Sequence, residues 1–416
     1  MRTPTVRQAA ILTGGLGTRL GQLTTSTPKP LLPCGDRPFV AWLLRELSRF
    51  GVEEIILLTG HLAGAVEAML PEIAAGLPKP LRITCSREER PAGTGGALFH
   101  ARAHLAERFL LCNGDSWLDF NLAHLLADAA SDPDETIGRI VLRRLDDATR
   151  YGVVEMDGDR VTAFHERATP GQAGRVNAGL YLFDRRVLDE VGPSCSLERD
   201  VMPALASRGA LRGTVADGYF VDIGVAADLK RAQTELPTKL HRRALFLDRD
   251  GVINLDHGWV GTRERFDFVP GALTTIRAAS DAGWHVFVVT NQSGIARGLY
   301  DERQFASLCA WMTDAVRAEG GTIDDLRYCP FHPEATLEAY RRVSAWRKPG
   351  PGMLLDLLAC WQIDPARCLL IGDRSSDLAA AAAAGVTAHL FPGGDDLAEF
   401  ALPLLVDLGT VDPEGS

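Results

Sequence analysis

The chain has 416 residues, 46% apolar and 24% charged, which exceeds what one hydrophobic core usually supports and predicts two soluble globular domains with no disordered segment. A formal charge of −10 with no block of Lys and Arg argues against nucleic acid or anionic membrane as a partner, while leaving local cations and backbone N–H groups to hold small anionic substrates. Eight scattered cysteines without a C-x-x-C pair, no signal peptide and no apolar run near the roughly 20 residues of a membrane helix predict a reduced, cytoplasmic protein.

Short β-branched and Leu-rich runs alternate with stretches of helical period. The predicted strands in chain order are Ala9–Thr13, Glu54–Thr59, Leu81–Cys85, Phe109–Cys112, Ile140–Leu142, Ala244–Leu247, His285–Thr290 and Cys368–Ile371. This is an α/β pattern with largely parallel sheets. The stretch Leu236–Arg243 (LPTKLHRR) carries a proline and clustered basic residues before a new strand, so it is read as a linker between domains 1–235 and 244–416.

The first strand runs into Gly14-Gly15-Leu16-Gly17-Thr18-Arg19, where glycines let main-chain N–H groups approach a triphosphate and Arg19 adds fixed positive charge. Ten residues on, Thr27-Pro28-Lys29-Pro30 restrains the backbone around a lysine that can be aimed into the same cleft. No Gly-Lys-Ser/Thr follows, and Leu20 stands at the third glycine position of the dinucleotide pattern, so neither a P-loop nor a Rossmann fingerprint applies.

With Gly93-Thr94-Gly95-Gly96-Ala97, Asn113-Gly114-Asp115, Glu166-Arg167, Asn177-Ala178-Gly179 and Phe220-Val221-Asp222-Ile223-Gly224 following in order, residues 8 to 234 resemble the sugar-1-phosphate nucleotidyltransferases. The resemblance implies a Rossmann-like mixed sheet. It also implies a nucleotide site of Leu12, Gly14, Gly15, Gly17, Thr18, Arg19, Lys29, Gly95 and Asp115, with Arg19 and Lys29 as its catalytic cations. Asp115 and Asp222 would hold Mg²⁺, and Glu166, Arg167 and Asn177 would contact the sugar. Two carboxylates far apart in sequence suit a hard cation whose other ligands are phosphate oxygens. Many relatives carry Lys where this chain has Arg167, which keeps the charge but changes its geometry.

In the second half, a strand ends in Asp248-Arg249-Asp250-Gly251, placing two carboxylates where open α/β sheets build their sites. Then come Thr290-Asn291-Gln292-Ser293, Arg347-Lys348-Pro349, and Gly372-Asp373 with Asp377 four residues beyond. Residues 243 to 392 resemble the haloacid-dehalogenase superfamily, and within it the heptose bisphosphate phosphatases, with histidinol phosphatases as close cousins. The supporting stretches are LDRDGVINLDHGWV, VVTNQSGIARGLY, YCPFHPEA and RKPGPGMLLD.

That resemblance implies a Rossmannoid domain in which Asp248 attacks phosphorus and Asp250 serves as acid and base. Asp248, Asp373 and the Asp250 carbonyl would hold Mg²⁺. Thr290, Asn291 and Lys348 would bind the transferring phosphoryl group, with Gln292, Ser293 and Arg347 completing the substrate site. Only 42 positions separate Asp248 from Thr290, and 58 separate Thr290 from Lys348, so no large cap domain is expected. Many relatives build a zinc site from Cys-x-His and Cys-x-Cys. Here Cys329 is retained but Phe331, Ser344 and Trp346 stand at the other positions, so no structural zinc is expected and packing of Phe331, Tyr340 and Trp346 should hold the loop.

Together the resemblances imply consecutive reactions: removal of the 7-phosphate from D-glycero-D-manno-heptose 1,7-bisphosphate, then transfer of GMP from GTP to the heptose 1-phosphate. Two alternatives are a mannose-1-phosphate guanylyltransferase fused to a histidinol-phosphate-type phosphatase, and a sugar-nucleotide-binding regulator with dead sites.

Overall fold

The computed structural model describes residues 6–165, 169 and 171–410, the side chains of 407–410 excepted. The chain divides into two compact units, Met1–Leu240 and His241–Ser416.

Nine strands form the sheet of the first unit: β1 (Gln8–Leu12), β2 (Glu54–Thr59), β3 (Arg82–Arg87), β4 (Arg108–Asn113), β5 (Gly138–Leu145), β6 (Val153–Asp157), β7 (Arg160–His165), β8 (Gly174–Asp184) and β9 (Leu211–Ala216). Their order is β3-β2-β1-β4-β8-β5-β9-β7-β6. The β3-β2-β1-β4 half is parallel, and β8 enters antiparallel to both β4 and β5, which makes the sheet mixed. Alternation along a strand feeds two cores: Ala9 and Ile11 of β1 face one cluster with Phe39, Trp42 and Leu44, while Ala10 faces another with Leu98, Phe109 and Tyr181. Burial on both faces explains why these strands read as unbroken apolar runs.

The second unit has a five-stranded, all-parallel sheet of β10 (Ala244–Leu247), β11 (His285–Asn291), β12 (Asp325–Cys329), β13 (Cys368–Gly372) and β14 (Thr387–Leu390), ordered β12-β11-β10-β13-β14. Again the faces split, Leu245 and Leu247 to one core and Ala244 and Phe246 to the other. The carboxyl ends of β10, β11 and β13 lie side by side, because β10 pairs with both neighbours. Short loops and helices fill the two intervals flanking Thr290, with no inserted domain among the described residues.

One boundary differs from the sequence reading. Leu236–Leu240, expected to be linker, is the last turn of the helix Ala226–Leu240, and both leucines are buried in the first unit's core. Pro237 inside that helix packs on the turn at Gly35, where an added Cβ would stand 2.4 Å from its ring. The proline that signals a break in sequence is thus a packing residue.

Candidate functional site

In the first unit, β1 delivers Gly14 and Gly15 into the mouth of a cavity of about 290 Å³ that is also lined by Leu12, Lys29, Asn113 and Asp115. Gly17 has a φ of +64°, which favours glycine, and its carbonyl accepts from the Thr24 hydroxyl at 2.9 Å. A Cβ on Gly15 would meet nothing within 4 Å, so the chain beside it opens onto free space of the kind a phosphate needs. Lys29 Nζ reaches Asp115 Oδ2 at 2.6 Å.

A two-stranded ribbon brings the distant aspartates together. Ser116–Leu118 pairs antiparallel with Phe220–Asp222, Asp222 stands opposite Ser116, and Ile223 N–H donates to the Asp115 carbonyl at 2.9 Å. Burial and then the Asp115 charge push the Asp222 carboxyl above the ordinary carboxylate range, against the pull of Lys29 and Arg19. Two like charges drawn to one spot, both half-buried, suit a hard cation. Arg19 Nη2 lies 3.5 Å from where a Cβ on Gly224 would stand, next to that pair.

Asn177 is anchored by its own strand: its Nδ2 donates to the Tyr181 hydroxyl at 2.8 Å and its Oδ1 accepts from Gly179 N–H at 3.0 Å. Gly95, expected at the nucleotide, is not among the residues that line the cavity. Its N–H donates to the Cys195 carbonyl at 3.0 Å and an added Cβ would strike Cys195 Sγ at 2.4 Å, so it packs behind the turn while Gly93, Thr94 and Ala97 face the cavity. Glu166 and Arg167 lie outside the described residues. Two lining carboxylates were missed by the sequence reading, Glu88 and Glu198; burial raises the first, and the second accepts from the Thr94 hydroxyl at 2.7 Å. A glutamate outside a familiar motif carries no sequence signal.

In the second unit, a cavity of about 520 Å³ lies at the carboxyl ends of the strands, lined by Asp248, Asp250, Thr290, Asn291, Gln292, Ser293, Arg347 and Lys348. At its floor the buried Lys348 Nζ is 2.8 Å from Asp248 Oδ2 and 2.6 Å from Asp377 Oδ1, and donates to the Val289 carbonyl at 2.9 Å. Burial raises the Asp248 carboxyl to about 7; Lys348 opposes this, while Asp377 and Asp250 add to it. Burial also lifts Asp373.

Asp248, Asp373 and Asp377 each offer an oxygen within 4.8 Å of the others, against the ammonium of Lys348 and the guanidinium of Arg374, 3.7 Å from Asp373. Asp373 Oδ1 is buried without a hydrogen-bond partner. This excess of crowded carboxylate fits a divalent cation. The approach depends on Gly251, whose φ is +85° and whose Cβ would lie 2.4 Å from Asp373 Oδ2.

Asp250 faces the cavity from a clamp: Arg249 donates to both its oxygens, Asn254 Nδ2 to Oδ1 at 3.0 Å and Gln292 Nε2 to Oδ2 at 3.0 Å. Asn291 spends its side chain on the backbone of Lys348, donating to its carbonyl and accepting from its N–H at 3.0 Å each, and so fixes the lysine. Burial, with Arg297 and Arg374 nearby, lowers Arg347. Asp377, to which its motif gives no role, lines the cavity together with Asp256, Trp259, Tyr300 and Arg374, none of which carries a motif signal of its own.

Around the altered Cys-x-His position, Cys329 is buried, Phe331 lies under the Arg342 guanidinium at 3.6 Å, and its ring centroid is 6.1 Å from Tyr340. Trp346 contributes less than expected, being 37% exposed.

Two family models match the chain: nucleotidyl transferase over residues 8–239 and HAD-hydrolase-like over 345–400. A D-glycero-beta-D-manno-heptose-1,7-bisphosphate 7-phosphatase from Rhodopseudomonas palustris is 48% identical over 167 residues, 40% of this chain and 92% of that protein. A D-glycero-alpha-D-manno-heptose-1,7-bisphosphate 7-phosphatase from Burkholderia mallei is 45% identical over 147 residues, 35% and 78% of the respective chains. The crystal structure of HddC from Yersinia pseudotuberculosis aligns with 56% of this chain and 100% of its own at 28% identity and a TM-score of 0.49. Both matching families generally use Mg²⁺. Among the described residues no helix is long and apolar enough to cross a membrane. Through residues 8–239 the chain belongs to the nucleotidyl transferase family, and through its second unit to the HAD-type phosphatases, so that it is a transferase and a phosphatase in one polypeptide.

Proposed function

We propose that the second unit removes the 7-phosphate of a D-glycero-D-manno-heptose 1,7-bisphosphate and that the first couples the resulting heptose 1-phosphate to GMP from GTP, giving GDP-heptose and pyrophosphate. The observation that carries this reading is the joining, in one chain, of a phosphatase 48% identical to a heptose bisphosphatase with a nucleotidyl transferase. A sugar 1-phosphate is the product of the first reaction and the acceptor class of the second. The choice of guanine rests on the likeness of the first unit's motifs to the branch that takes heptose 1-phosphate of the α configuration. Relatives of the second unit are named for both anomers, so the anomer is set by the acceptor preference of the first.

In the phosphatase, an Asp248 carboxylate oxygen attacks phosphorus, an aspartyl-phosphate bond forms, and the bond from phosphorus to the sugar oxygen breaks. That oxygen takes a proton from Asp250. Water then attacks the aspartyl phosphate, Asp250 recovers a proton from it, and inorganic phosphate leaves with Asp248 restored. Lys348 and Thr290 face the phosphoryl oxygens, Ser293 and Arg347 the remainder of the substrate. Asp248, Asp373 and the Asp250 carbonyl would hold Mg²⁺. In the transferase, an oxygen of the sugar phosphate attacks the α-phosphorus of GTP and pyrophosphate departs. Gly14, Gly15, Arg19 and Lys29 surround the triphosphate, Asn177 the sugar, and Asp115 and Asp222 would hold Mg²⁺. When bound, the metal neutralises charge on the phosphoryl oxygens at each site.

Mass spectrometry of products from heptose 1,7-bisphosphate with mixed GTP, ATP, CTP and UTP tests both steps. Phosphate, pyrophosphate and GDP-heptose are expected. Preferential coupling to another base, or phosphate release from histidinol phosphate in preference to the heptose, overturns the reading.

A further inference from the structure

We propose that Tyr300 is a positioning residue for the phosphatase reaction, acting through the Gln292 side chain to hold Asp250 where it delivers its proton to the leaving oxygen. The inference rests on the reading of Asp250 as the acid of that site.

The contacts define one chain of donors. Tyr300 Oη lies 2.6 Å from Gln292 Oε1, and Gln292 Nε2 lies 3.0 Å from Asp250 Oδ2 and 2.8 Å from Thr290 Oγ1. Asp250 Oδ2 accepts from the Gln292 amide and the Gln292 oxygen accepts from Tyr300, so the amide turns its NH₂ toward Asp250 and its oxygen toward Tyr300. The tyrosine hydroxyl is then the donor that fixes this orientation. Without it, the amide could flip and set an oxygen against the carboxylate.

The ring is built in rather than resting at the surface. Tyr300 is 6% exposed, and its ring sits against Gly261 and Gly294, where added Cβ atoms would stand 2.2 and 2.3 Å from ring carbons. Both contacts require the absence of a side chain, so two glycines make room for one phenol. Phe305 packs beside it in the same small cluster, and the Arg249 guanidinium lies 5.3 Å from the Phe305 ring while donating to both Asp250 oxygens. Asp250 is therefore gripped on Oδ1 by Arg249 and Asn254, and on Oδ2 by Arg249 and Gln292. Arg249 Nε adds a further bond to Oδ1 at 3.2 Å, and among these donors Gln292 is the one whose amide oxygen accepts from the Tyr300 hydroxyl.

A proton donor matters most when the departing oxygen is a poor leaving group. A sugar alkoxide needs the proton, whereas p-nitrophenolate leaves as a stable anion. The test uses the full chain with Tyr300→Phe, which keeps the ring, and Gln292→Met, which keeps the side-chain length. The readout is kcat/KM for the heptose bisphosphate divided by kcat/KM for p-nitrophenyl phosphate. This ratio is expected to fall on the order of tenfold in both variants, a fraction of the full general-acid contribution. A merely structural role, or partial unfolding, lowers both substrates together and leaves the ratio at its wild-type value, which overturns the proposal. If Tyr300→Phe does not fold, an unchanged ratio in Gln292→Met has the same force. Failure of the underlying reading shows separately, as wild-type protein that releases phosphate from neither compound.

Discussion

Asp248 meets burial, a lysine and two further carboxylates at one place. It is buried, shares Lys348 with Asp377, and sits at about 7. Below that pH the metal-free carboxyl is protonated, so a cation must displace a proton to bind. Mg²⁺ affinity at this site is therefore expected to rise with pH, by up to about tenfold per unit, and to level off above about 7. Calorimetric titration in buffers of different ionisation enthalpy measures the released proton, and a flat or inverted pH profile refutes the assignment. Asp248→Asn is expected to cut phosphate release by about 10³-fold or more while leaving pyrophosphate release by the first unit intact. A variant losing both activities equally would show that the residue acts on folding.

At the scale of elements, turns decide whether the carboxylates can meet. Gly251 holds a left-handed φ beside Asp373, so Gly251→Ala combines backbone strain of about 1–3 kcal/mol with a clash on a proposed metal ligand. Loss of Mg²⁺-dependent phosphatase activity together with a lower unfolding temperature is expected; wild-type activity would contradict the geometry. The loop after β12 is held by the Arg342–Phe331–Tyr340 stack around the buried Cys329, and elemental analysis of purified protein is expected to find no stoichiometric zinc. The motif glycines were legible because each lies in a recognisable run. The ribbon that sets Asp222 opposite Ser116 was not, since three-residue strands are too short to show a period.

For the whole molecule, the end of the first unit tests how its core closes. Leu236 and Leu240 are buried there, so a fragment ending at residue 235 loses two core leucines that a fragment ending at 240 retains. The shorter fragment is expected to be less stable by about 4 kcal/mol or more in denaturant titration. Equal stability would mean that the last helical turn is dispensable.

Strand runs such as Ala244–Leu247, the ordered glycine motifs and the D-x-D pair were readable because periodicity and spacing are properties of the chain itself. The mixed pairing of β8, the burial of Leu236 and the retreat of Gly95 behind Cys195 were decided only on folding. So were the grip of Asp377 on Lys348 and the reach of Tyr300 to Gln292. Those contacts join residues whose neighbours in sequence say nothing of them, because a side chain's partner and its dielectric surroundings exist only once distant segments pack together.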